Sequence, residues 1–172
     1  MNWKALMVLM ALAAIFMPTA EADSRTIALW NYNVTLDGIG QNITMQPMAV
    51  SSDVNSIVRS IRFQGESSLD WGTIYLFDHR APTSIILEDL LRQIMMPSCK
   101  AISADPGTIG DRNGMVAKAD ARVKHGFGQI CYGGAAQISS TGETRIFAII
   151  AHFQNETLNE HLVKTARIEH SS

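Results

Sequence analysis

The stretch TRIFAIIAHF, residues 144–153, decides what kind of fold this chain can build. Read as an extended strand, it puts Ile146, Ala148 and Ile150 on one side and Phe147, Ile149, Ala151 and Phe153 on the other. Both sides are apolar, so both must be shielded from water. The sheet that holds this strand is therefore expected to carry a layer on each face, made of helices or of a helix and long loops.

Upstream, residues 108–119 read TIGDRNGMVAKA and carry the clearest turn signal in the chain. Asn113 and Gly114 suit a type I′ turn, which needs two successive residues at positive φ. Asp105, Pro106 and Gly107 form a second break, so the hairpin turning at Asn113 and Gly114 is expected to be short and to set the register of the sheet. Residues 127–138 read as the next strand, in which Gly133 and Gly134 mark a bulge or a close backbone approach. A further turn at residues 140–142 leads into 144–153.

Toward the N-terminus, residues 27–36 alternate, with Trp30, Tyr32, Val34 and Leu36 on one face and Asn31, Asn33 and Thr35 on the other, which predicts one half-buried strand. Residues 43–48 and 54–63 predict two more, and arginines on both faces of the second place it near an edge or a solvated surface. Residues 72–77, GTIYLF, predict a strand with apolar groups on both sides. Leu87, Leu90, Leu91, Ile94 and Met95 recur at three and four, the stripe of an amphipathic helix over 84–96, capped by Thr83 or Ser84 and stopped by Pro97. Thr157 and Glu160 read as a capping box opening a last helix with Leu158, Leu162 and Ala166 on its stripe, after which Ile168 adds an extended contact. Together these elements predict an α+β chain, an α/β/α sandwich with a largely antiparallel sheet covered by helices.

Met1 to Ala22 carry Lys4, an apolar run over 5–17, Pro18, and small residues at Ala20 and Ala22, the layout of a secretory signal peptide. The apolar run is shorter than the ~20 residues needed to cross a bilayer. Residues 1–22 are therefore expected to be a leader and residues 23–172 a single domain, secreted or extracytoplasmic, with no membrane span left after cleavage. A net charge of −2 with scattered Lys and Arg lacks the basic stripe of a nucleic-acid binder. Cys99 and Cys131 belong to no Cys-x-x-Cys pair, and in an exported protein they form either one disulfide or two separate buried thiols. Sequons at Asn33, Asn42 and Asn155 are glycosylation sites in a host that modifies exported chains.

The hairpin residues Ile109, Gly110, Asp111, Arg112, Asn113 and Gly114, with the closing segment Leu162, Val163, Lys164, Thr165, Ala166, Arg167 and Ile168, resemble the second half of PsbP-like domains. The likeness extends to small exported proteins of methanogenic archaea with that architecture. It implies an α/β/α sandwich around an antiparallel sheet, in a group whose members are mostly non-catalytic binding or assembly proteins.

Among residues that carry chemistry, His79 with Asp78 and Arg80 ends a predicted strand, where a His beside an Asp could act as base or metal ligand; a solvated turn is the plainer reading. His152 lies in an otherwise apolar strand and His161 on the last helix, and half-buried, hydrogen-bonded histidines are commoner than ligands in such places. His125 reads as a loop residue. Trp71 and Tyr75, with Arg80, could rim a site for a small ligand or sugar, or seat the core. No hydrolase, P-loop, zinc-protease or dinucleotide motif occurs, and no cofactor or metal is implied. Two function classes follow. One is a non-enzymatic exported protein that binds a partner protein, an envelope component or a small ligand; the other is a secreted hydrolase or metal-dependent enzyme using His79, Asp78 and His152, which requires those groups to converge.

Overall fold

The N-terminal hairpin of the computed structural model, which describes residues 23–40, 42–54, 56–79, 85–122, 129–138 and 144–171, joins strands β1 (Ser24–Leu29) and β2 (Tyr32–Asp37). Leu29 pairs with Tyr32, so Trp30 and Asn31 form a two-residue turn, with Trp30 at φ +57°. The far end of the chain, β11 (Arg167–His170), pairs antiparallel with β2 and completes a three-stranded sheet. The two ends of the described chain are thus tied in one small sheet.

The remaining strands are β3 (Thr44–Met45), β4 (Ala49–Ser52), β5 (Ser56–Gln64), β6 (Trp71–His79), β7 (Cys99–Ile109), β8 (Arg112–Ala121), β9 (Ile130–Gln137) and β10 (Thr144–His152). They make an eight-stranded sheet in the order β3-β5-β6-β10-β9-β8-β7, with β4 also on β5, and every pairing is antiparallel. Helix α1 (Leu87–Met95) links β6 to the distant edge strand β7, and α2 (Glu156–Thr165) links β10 to β11.

Strand β10 divides the interior as its sequence requires. Phe147, Ile149 and Ala151 enter a core shared with β1, β2, β11 and α2, whereas Ile146, Ala148 and Ile150 enter a second core under α1. The neighbouring glycines of β9 serve the two cores separately. A Cβ on Gly134 would come within 2.7 Å of both Ile109 Cγ1 and Val163 Cγ1, and one on Gly133 within 2.6 Å of Met95 Sδ. Close backbone approach on both faces explains the glycine pair, and the β8–β9–β10 register runs through it unbroken.

The α/β/α sandwich is corrected: among the described residues eleven strands and two short helices make the chain mostly β, and the main cover of one face is a second sheet. Residues 27–36 are a hairpin rather than one strand, because the buried positions shift from odd (Ile27, Leu29) to even (Tyr32, Val34, Leu36) across Trp30 and Asn31. The β7–β8 turn lies at Gly110 and Asp111, not at Asn113 and Gly114, which pair with Thr108 and Gly107 inside the ladder. Gly110 is at φ +58°, the II′ pattern of a positive φ at the first central residue alone, and its N–H donates to the Lys164 carbonyl at 2.8 Å. That contact with the end of α2 fixes which glycine turns. Gly114 instead allows β8 to approach the Ala135 carbonyl. Nor is the hairpin short: Pro106 is tolerated because β7 is an edge strand, and the strands run 11 and 10 residues. Helix α2 is capped by Asn155, whose side chain accepts from Leu158 N at 3.2 Å, rather than by Thr157 and Glu160. Helix α1 begins after Ile86 with no side-chain cap, and Thr83 and Ser84 lie outside the described residues, as do the leader, Arg80, His125, Gly126, Phe127, Gly128 and residues 140–142.

Candidate functional site

The two faces of the large sheet are covered unequally. Helix α1 has nine residues, about 13–14 Å of helix, against a sheet whose seven strand positions span roughly 29 Å. It packs chiefly on β7, β8 and β9. The same face of β5 and β6 is left to line a groove with it. Val58, Tyr75 and Phe77 supply the strand side, and Ile85, Ile86, Leu90 and Ile94 the helix side. The groove encloses about 720 Å³ and its apolar lining outweighs its polar lining. Polar groups gather around it in Asp53, Ser56, His79, Asp89 and Gln93, and among the described lining residues there are two carboxylates and neither lysine nor arginine. Such a cleft lies within the size range of small-ligand sites, which join an apolar lining to a few polar groups. Burial pushes the Tyr75 phenol above its usual pKa, so at neutral pH it is a protonated donor.

A second cavity of about 300 Å³ lies on the same face, near the C-terminal end of α1, lined by Arg62, Ser68, Leu69, Trp71, Pro97, Ser98, Ala121, Arg122 and His152. Its character is opposite to that of the groove, since its described lining holds two guanidinium groups and no carboxylate. Arg62 lies over the Trp71 ring at 4.9 Å, and the Trp71 and His152 ring centroids are 5.2 Å apart.

The residues anticipated from sequence are thereby distributed. Tyr75 and His79 belong to the apolar groove, and Trp71 and His152 to the polar cavity. Asp78 and His79 are successive residues of one strand and point to opposite faces. His79 pairs with Thr144 and Trp71 with His152, so the two histidines stand at opposite ends of a nine-residue ladder, roughly 27 Å apart. Asp78 turns toward the other core, where it bridges Arg59 at 3.5 Å and Arg145 at 3.3 Å. Arg59 also lies over the Trp30 ring at 3.9 Å, and Arg145 donates to the Tyr32 hydroxyl at 3.2 Å. This cluster pins the small sheet onto the large one. The geometry does not bring Asp78, His79 and His152 together, and among the described residues no three His, Cys, Asp or Glu side chains are placed to hold a metal.

Cys99 and Cys131 do meet. Both are free, fully buried thiols in the core under α1, hydrogen-bonded to each other, and that bond together with burial holds Cys131 protonated. Of the sequon residues, Asn155 is an exposed helix cap, Asn42 donates to Glu66 at 2.5 Å, and Asn33 is half-buried in β2. His161 packs near Gly38 on α2 and takes no part in either cavity.

Sequence reasoning missed the α1 wall of the groove and both cavity arginines. The pairing Gln64 to Trp71 sets Arg62 beside Trp71, and this was readable once residues 65–70 were taken as a tight β5–β6 connection. The approach of Arg122 to that site depends on the path of β8 across the sheet and has no local signal. Among the described residues no helix is long and apolar enough to cross a membrane. No family model, curated protein or solved structure matches the chain.

Proposed function

We propose that this chain is an exported, non-enzymatic binding protein whose groove between α1 and strands β5 and β6 takes a small amphiphile with an apolar body and a neutral or basic head. The observation that carries the reading is the groove itself: about 720 Å³, apolar along Val58, Tyr75, Phe77, Leu90 and Ile94, with Asp53 and Asp89 as the charged groups of its described lining. Uncovered apolar surface of this kind is costly in water unless something occupies it. The two carboxylates favour a basic head over an acidic one. Export is supported by the leader pattern of residues 1–22.

The test is a titration of the chain with the neutral dye Nile red, followed by competition. Enhanced dye emission, lost on adding decylamine at lower concentration than decanoate, is the expected result. A Val58→Trp variant, which fills the groove from an already half-exposed position, should fold with unchanged circular dichroism and lose the dye. Dye binding that survives Val58→Trp unchanged would overturn the reading.

A further inference from the structure

The cavity near the end of α1 presents a different chemistry, and one atom in it defines that chemistry. His152 is 5 % exposed, its Nδ1 is 2.8 Å from the Leu69 carbonyl oxygen, and its Nε2 is buried with no hydrogen-bond partner among the described residues. A carbonyl oxygen only accepts, so Nδ1 carries the proton, and in the neutral ring Nε2 is left as a lone pair seeking a donor. Burial, opposed by the Leu69 bond and the charge of Asp70, lowers the His152 pKa and keeps the ring neutral at neutral pH. A buried acceptor without a donor carries a desolvation cost, which a ligand hydroxyl would remove.

Two guanidinium groups, Arg62 and Arg122, line the cavity around this acceptor, against the single carboxylate of Asp70 whose charge reaches His152. Arg122 is held in place by donating Nε–H to the Cys99 carbonyl at 2.9 Å, and the exposed Arg62 has its guanidinium carbon 4.9 Å from the Trp71 ring centroid. Trp71 neighbours both Arg62 and His152, which makes it the positioning residue of the set. Guanidinium groups placed in this way are suited to a carboxylate. The volume of about 300 Å³ holds on the order of ten non-hydrogen atoms at one per water volume, roughly twice what inorganic phosphate needs.

We infer that this cavity is a binding site for a small hydroxylated carboxylate, its carboxylate held by Arg62 and Arg122 and a hydroxyl donating to Nε2 of His152. The site is separate from the apolar groove, so failure of either assignment leaves the other standing.

Isothermal titration calorimetry on the chain provides the test, with matched pairs of probes. Malate and succinate differ by one hydroxyl, and glucuronate and glucose by the carboxylate; inorganic phosphate measures simple anion binding. The expected result is that malate or glucuronate binds at least ten-fold more tightly than its matched control and than phosphate. Whichever of the two prevails tells a free hydroxy acid from a sugar acid. Arg62→Gln and Arg122→Gln should each weaken that binding about ten-fold at an unchanged melting temperature, and His152→Phe should abolish the preference for malate over succinate. Equal binding of both pairs, phosphate binding as tight as malate, no binding of either hydroxylated carboxylate, or arginine variants that bind like the parent would overturn the assignment.

Discussion

Gly133 and Gly134 are adjacent in β9, yet they look into two differently built interiors. Above Gly134, branched side chains from β7 and α2 meet the backbone, and the small sheet continues the cover, so this core is closed. Below Gly133 stands the flexible end of Met95, and beyond it α1 stops short of β5 and β6. One face has been completed by a second sheet, the other by nine residues of helix. The difference teaches that cover, rather than strand hydrophobicity, decides where β6 and β10 keep open surface: both are apolar on both sides, and among the described residues it is their α1 side that lines a groove and a polar cavity.

The largest effect that would break this comparison comes from truncation. Phe147→Ala, in the closed core, should cost about 3–5 kcal/mol in denaturant unfolding, whereas Val58→Ala, in the open groove, should cost about 1 kcal/mol or less. Equal losses would mean that the two faces are packed alike. Next, Gly110→Ala should cost about 1–3 kcal/mol, because φ is +58° and the added Cβ would stand 2.6 Å from the Ala166 carbonyl oxygen that belongs to the closed side.

The glycines themselves sharpen the contrast. Gly134→Ala presses on branched atoms that cannot yield and should lose about 1–3 kcal/mol, while Gly133→Ala presses on a thioether that can swing aside and should lose less than about 1 kcal/mol. Melting curves of the two variants side by side decide it. The smallest effect concerns pH. Burial holds His152 below its ordinary pKa of 6.5, so as pH falls below that value the unfolded chain takes up a proton that the folded chain refuses, and stability declines. The melting temperature of His152→Phe should therefore change less between about pH 7 and pH 5 than that of the parent. An identical pH slope would place a protonated His152 in the folded state.

Much of this architecture was legible from side-chain period. The double-sided strand expected over 144–153 and the α1 stripe follow from it, the antiparallel order follows from the consecutive hairpins, and the structure keeps all three, with the strand ending at His152. The N-terminal hairpin was also written in the sequence, as the change from odd to even apolar positions between Leu29 and Tyr32, but its turn residues Trp30 and Asn31 carry no glycine to announce it. The β7–β8 turn was misplaced because Asn-Gly is the stronger local signal. The docking of Gly110 onto α2 is tertiary and outweighs it. The candidate sites were legible only in fragments. Trp71, Tyr75, His79 and His152 lie in them, yet which residues share a cavity depends on strand register and on how far α1 reaches, neither of which is local.

The central claim is that binding belongs to the α1 side of the sheet. Amide chemical-shift mapping of the 15N-labelled chain during titration with decylamine tests it most directly. The account predicts shifts concentrated at Val58, Tyr75, Phe77, His79 and residues 85–94, with β1, β2 and β11 unmoved. Shifts centred on the small sheet, or spread evenly over both faces, would contradict it.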